Sequence, residues 1–259
     1  MNFVDIQGVR LEVQQIAGPA GLAPLVFLHE GLGSVSLWTQ RGKNWPQAVC
    51  EATGRRGLVY SRRGYGQSSP VPDVRGSGRL VPDYMHREAR EVLPALLDRL
   101  ELQRPVLIGH SDGASIALIH ASQHPVSATV VMAPHLMVED IAVQAIAQAS
   151  QAFEQHGLRD RLARHHADVD GAFWQWNDVW LSAGFRSFDI RAECSRIAGP
   201  VLAIQGDNDE YGSMAQLDAL AAAAPHTAQC RLADCGHSPH RDQPEKTLEA
   251  VTDFLASVG

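Results

Sequence analysis

Short, nearly continuous apolar runs recur along the chain with room for a helix between them. Ala23 to Leu28, Gly57 to Ser61, Val106-Leu107-Ile108, Ala128 to Met132 and Pro200 to Ile204 all read as strands buried on both faces, which is how strands of a parallel sheet look. Residues 2 to 17 differ: they alternate apolar and polar around Gly8, the signature of an antiparallel edge hairpin. The intervening stretches repeat at helical spacing. Residues 36 to 52 predict a first helix with Trp38, Trp45 and Val49 inward and Gly54 as its stop. Tyr84 to Leu100 predicts another, and Pro244 to Val258 a last one with Leu248, Val251, Phe254 and Leu255 on the sheet side. Ala228 to Ala233 reads as the final short strand. From Val138 to about Arg191 the β-α alternation stops, and the pattern is helical throughout: Glu139 to His156, Leu158 to His166, then the aromatic run Phe173 to Trp180.

Composition narrows the class. A chain of 259 residues with 45% hydrophobic content can bury the core of one α/β domain. A formal charge of −7, with no long basic run, argues against nucleic acid as the main partner. The first residues carry no basic segment ahead of an apolar one, and no stretch is long enough to span a membrane, so the expected location is the cytoplasm. The four cysteines, at 50, 194, 230 and 235, have no metal-site spacing and read as reduced thiols. His165-His166-Ala167-Asp168-Val169-Asp170 gathers imidazoles and carboxylates, but in no metal-binding pattern; no metal or other cofactor is expected. Nothing in the pattern sets an oligomeric state.

The chemistry centres on Gly109-His110-Ser111-Asp112-Gly113, which joins the Val106 strand to an apolar, small-residue helix. G-x-S-x-G between strand and helix is a nucleophile elbow. A serine hydroxyl is a weak nucleophile and needs a histidine base oriented by a carboxylate, and in the fold built on this elbow both follow the serine, acid first. Gly206-Asp207-Asn208-Asp209 ends the run at Pro200 to Ile204 and offers Asp209, with Asp207 as second choice. Gly236-His237 after the last strand offers His237; His240 is the less suitable neighbour.

With His29-Glu30-Gly31-Leu32-Gly33 after the third strand and Arg63-Gly64-Tyr65-Gly66-Gln67-Ser68 after the fourth, these motifs make nearly the whole chain resemble an α/β-hydrolase of the esterase, lactonase and carbon–carbon hydrolase branch. The resemblance implies a mostly parallel eight-stranded sheet flanked by helices, formed by residues 1–134 and 192–259, with residues 135–191 as a helical cap. It implies an oxyanion hole made by the N–H groups of Asp112 and Gly31. Many relatives have glycine in place of Glu30, and usually aspartate in place of Ser61. Glu30, alone or together with Asp112, touches a polar part of the substrate, or else it fixes its own loop. Among the cap aromatics, Trp174 and Trp180 are the candidates for the pocket wall. The expected function is hydrolysis of a small carboxylic ester or lactone through an acyl-enzyme on Ser111. The alternatives are carbon–carbon bond hydrolysis of aromatic ring-cleavage products on the same residues, and a ligand-binding protein without turnover.

Overall fold

The computed structural model describes residues 2–258. The edge hairpin is β1 (Asn2–Ile6) and β2 (Val9–Ile16), turning through Gln7 and Gly8, both at positive φ. The remaining strands of the main sheet are β3 (Leu25–Leu28), β4 (Gly57–Tyr60), β5 (Val106–His110), β6 (Ala128–Met132), β7 (Val201–Gly206) and β8 (Thr227–Leu232). They form one eight-stranded sheet in the order β1-β2-β4-β3-β5-β6-β7-β8. Within this sheet, among the described residues, only the β1–β2 and β2–β4 pairs are antiparallel.

Each central strand is buried on both sides, and its residues divide by parity. Leu25, Phe27, Val106, Ile108, Leu202 and Ile204 join one core with α1 (Trp45–Thr53) and α10 (Pro244–Ser257). Val26, Leu28, Leu107, Val201 and Ala203 join the other, with α4 (Asp112–Ala121), α9 (Ala215–Ala223) and the helices from Tyr84 to Arg99. The strand period of two therefore sends alternate residues into two separate cores.

Two local elements differ from the reading above. The first helix does not run from residue 36. A 3-10 turn (Val35–Trp38) and a small ribbon, Thr39–Gln40 with Lys43–Asn44, come first, and α1 starts where the Asn44 side chain accepts from the Gln47 N–H at 2.9 Å, with Pro46 in its first turn. The helix at Tyr84 is divided as α2 (Tyr84–Arg87), a π segment (Glu88–Val92) and α3 (Leu93–Arg99). Pro94, which has no N–H to give to Arg90, follows the wide turn directly.

Between β6 and β7 the chain makes a helical excursion: α5 (Asp140–Gln155), α6 (Leu158–Leu162), α7 (Val169–Trp180) and α8 (Arg191–Cys194). Its two stems meet where Met137 bridges Asp189 and the Ile190 N–H donates to the Leu136 carbonyl at 2.8 Å. Strand order reverses between β3 and β5, which opens a crevice at the carboxyl ends of the strands. The excursion lies against this crevice. Among the described residues no helix is long and apolar enough to cross a membrane.

Candidate active site

β5 delivers Ser111 to the crevice in a sharp turn, with φ 53° and ψ −118° at the serine itself. The flanking glycines are required by close packing. A Cβ on Gly113 would lie 2.2 Å from the Leu28 carbonyl oxygen, and one on Gly109 would lie 2.3 Å from the Gly113 oxygen. The strain sits on the serine and the space on the glycines.

Ser111, His237 and Asp209 form one hydrogen-bonded line. His237 Nε2 is 2.9 Å from Ser111 Oγ, and His237 Nδ1 is 2.8 Å from Asp209 Oδ1. Asp209 also accepts from the Tyr211 N–H at 2.8 Å and from Gln205 Nε2 at 3.2 Å. Burial alone would raise its carboxyl, but the His237 bond and charge, with the Tyr211 amide, hold it below the usual carboxylate range. Asp207 is exposed, and among the described residues its side chain makes no hydrogen bond to His237; its N–H pairs with the Leu232 carbonyl. His240 is buried against Trp38 and Trp45, with ring centroids 4.8 and 5.7 Å away. His110 packs behind the elbow, its Nε2 2.7 Å from the His237 carbonyl oxygen.

The backbone around the serine is held equally firmly. The amides of Asp112 and Gly31 have no protein acceptor among the described residues. The Glu30–Gly31 peptide is oriented from its other end. Its carbonyl oxygen accepts from Arg62 Nη2 at 2.9 Å and from His29 Nδ1 at 2.6 Å. The Arg62 N–H donates to His29 Nε2 at 3.0 Å, which places the His29 proton on Nδ1. In a trans peptide the N–H points opposite to the C=O, so these bonds fix the direction of the Gly31 amide. Arg62 also donates to the His29 carbonyl at 2.5 Å and lies 4.0 Å from the Asp112 carboxylate, so one buried guanidinium braces both sides of the serine. Ser61 is tied to β2 through Glu12, which accepts from Ser61 Oγ at 2.7 Å and from the Gln67 N–H at 2.9 Å.

A cavity of about 220 Å³ opens over Ser111. Glu30 and Trp180 line it; Trp174 does not. On α7, Trp176 and Trp180 are one turn apart and face inward, whereas Trp174 and Asp178 face outward, where Arg75 stacks over the Trp174 ring at 4.0 Å and pairs with Asp178. Trp176 takes the place expected of Trp174, and its indole fills the gap that the missing Gly31 side chain leaves.

Glu30 reaches Arg241 Nη2 at 2.5 Å and lies 3.5 Å from His110 Nδ1. Burial would raise its carboxyl, but Arg241 and His110 hold it well below the usual range. The Asp112 side chain accepts from Tyr84 Oη at 2.6 Å and from Trp180 Nε1 at 3.3 Å, and burial pushes its carboxyl up. His135, from the loop after β6, sits 3.4 Å from Ser111 Oγ, and burial drives its pKa down to about 3. Among the described residues its Nδ1 is buried without a partner. His166 links α6 and α7 to the loops below, bonding the Gly66 N–H and the Leu32 carbonyl, each at 3.0 Å. Among the described residues no group of three or more His, Cys, Asp or Glu side chains is set to hold a metal ion.

The description of an alpha/beta hydrolase family fits residues 25–250. The chain belongs to that family. It is 26% identical over 284 residues to the sn-1-specific diacylglycerol lipase ABHD11 of Mus musculus, an alignment covering 97% of this chain and 87% of the mouse protein. It is 25% identical over 278 residues to 3-oxoadipate enol-lactonase 1 of Acinetobacter baylyi, covering 97% and 95% of the two chains. The solved structure of the enol-lactonase from Burkholderia xenovorans LB400 superposes with a TM-score of 0.76 at 20% identity, covering 98% of this chain and 100% of that one, and shares its fold. Within the family, sequence motifs pointed to Ser111, Asp209, His237 and Gly31. Arg62, His135, Trp176, Tyr211 and Arg241 came to light only in three dimensions.

Proposed function

We propose that this protein is a serine hydrolase that cleaves a small carboxylic ester or lactone through an acyl-enzyme on Ser111. The observation that carries the reading is the unbroken line from Ser111 Oγ through His237 to Asp209, at 2.9 and 2.8 Å, beside two amides free to receive an oxyanion. Its likeness to lipases and lactonases supports it.

In this mechanism His237 Nε2 takes the Ser111 proton as Oγ bonds to the carbonyl carbon. The carbonyl electron pair moves onto oxygen, where the Asp112 and Gly31 amides receive it. Asp209 keeps the proton on His237 Nδ1 and stabilises the imidazolium. Collapse breaks the bond to the leaving oxygen, which takes the proton from His237. Water, deprotonated by His237, then attacks the acyl carbon; the intermediate collapses, the imidazolium returns its proton to Ser111, and the acid leaves. The excursion at residues 135–191 serves as the cap that walls the acyl group. A cavity of about 220 Å³ lies below the roughly 300–1,000 Å³ of pockets that hold drug-sized ligands, which favours a small acyl group.

Intact-mass analysis after fluorophosphonate treatment tests the reading without a guess at the substrate. A single adduct mapped to Ser111, lost in Ser111→Ala, is expected, together with turnover of short-chain esters. A folded protein that takes no adduct refutes it.

A further inference from the structure

The charges on the cavity wall are uneven. Glu30, Asp112 and Glu210 supply three carboxylates, and Arg241 is the single arginine or lysine at the wall among the described residues. Arg241 is already committed: Nη2 donates to Glu30 Oε1 at 2.5 Å and to the Leu37 carbonyl at 3.3 Å. The imidazoles are committed or neutral: His110 Nδ1 faces Glu30 at 3.5 Å, His237 Nδ1 pairs with Asp209 at 2.8 Å, and burial keeps His135 neutral down to about pH 3. Asp112 is turned into Tyr84 and Trp180, with Arg62 behind it, which leaves the largely buried Glu30 and the exposed Glu210 as the acidic groups that face the cavity. The rest of the wall is apolar, from Leu32, Leu37, Ile146, Leu162, Trp176 and Trp180.

We infer that the cavity admits uncharged acyl groups and turns away acyl groups that carry a carboxylate, and that the Glu30–Arg241 pair sets this preference. An apolar wall gives a carboxylate no hydrogen bonds to replace its lost water, and the one guanidinium that could pair with it is occupied by Glu30. Neutralising Glu30 would release that guanidinium toward the cavity. The same pairing explains how a glutamate is tolerated next to the Gly31 amide: Arg241 offsets a charge that would otherwise oppose an oxyanion. This inference rests on the serine-hydrolase reading and names the substrate class of the same site.

The test compares two fluorophosphonates of equal length, one ending in a methyl group and one in a carboxylate, by their rates of Ser111 labelling on the full chain. Each rate is corrected for the intrinsic reactivity of its probe. The methyl-ended probe should label at least about tenfold faster. Glu30→Gln should narrow that ratio severalfold, and Glu210→Gln, at an exposed position, should move it the same way. Equal corrected rates in the wild-type chain, or a ratio that neither variant moves, overturn the inference while leaving the hydrolase reading intact. No labelling by either probe overturns the hydrolase reading and the inference with it.

Discussion

Asp207 and Asp209 share one loop and differ in what surrounds them. Asp209 is buried and aimed at His237, whereas Asp207 points to solvent. Asp209→Asn should therefore lower kcat by about 10⁴-fold by favouring the wrong His237 tautomer. Asp207→Asn should leave it near the wild-type value, and steady-state kinetics of the two variants on one ester decides the matter. Arg62 offers a subtler case. Arg62→Met keeps an apolar stem of similar bulk but removes the donors to the His29 and Glu30 carbonyls. An oxyanion contact is made in the transition state, so kcat should fall on the order of 10²-fold with KM little changed. A fall confined to KM would contradict this role. The candidate nucleophile and base were legible in the sequence because each sits in a motif whose spacing is fixed by a turn. Arg62 was not: it lies beside the Arg63-Gly64 motif as an ordinary surface-type residue, and only the fold shows it buried between two loops.

At the scale of elements, the packing of α7 against the loop after β3 carries most weight. A Cβ on Gly31 would fall 2.1 Å from Trp176 Nε1, and Trp176 is itself buried. Gly31→Ala must displace either the helix or the loop, and misplacement of about 1 Å can cost 10²-fold in rate. The expected outcome is a loss of that order in kcat, with the far-UV circular dichroism unchanged. The strands were readable because continuous apolar runs leave few other folds. Helix starts were less so: the residue 36–44 segment carries the apolar spacing of a helix, yet Asn44 and Pro46 set the first α-helical turn later. The aromatic run of α7 was readable as pocket wall or as cap core, but which rings face inward depends on helical phase, and phase is set by packing. The outward turn of Trp174 and the inward turn of Trp176 follow from that alone.

For the molecule as a whole, buried imidazoles make stability depend on pH between about 4 and 6.5. Burial lowers His120 and His166 to about 4 and His135 to about 3, against 6.5 for a free side chain. Each stays neutral in the fold, while the unfolded chain takes up a proton below about pH 6.5. The unfolded state thus binds more protons in this window. The stability these residues contribute is complete above pH 6.5 and falls as pH drops toward 4, by roughly 1.4 kcal/mol per pH unit for each histidine. Thermal melts should show a lower Tm at pH 5 than at pH 7, with a smaller difference in His166→Gln. An equal Tm at the two pH values would falsify the assignment. Composition gave no hint of this, because a count of histidines does not say which are enclosed.

The placement of the indoles has an optical consequence. Trp38 and Trp45 stack in the core on the α1 side of the sheet and Trp174 lies outside under Arg75, so Trp176 and Trp180 are the fluorophores that meet whatever occupies the cavity. Acylation of Ser111 should perturb the emission of those two and spare the rest. Stopped-flow fluorescence on the native chain would then show a transient that rises with acyl-enzyme formation and decays with its hydrolysis, reduced in Trp176→Phe. The protein carries its own kinetic reporter, with no dye to attach.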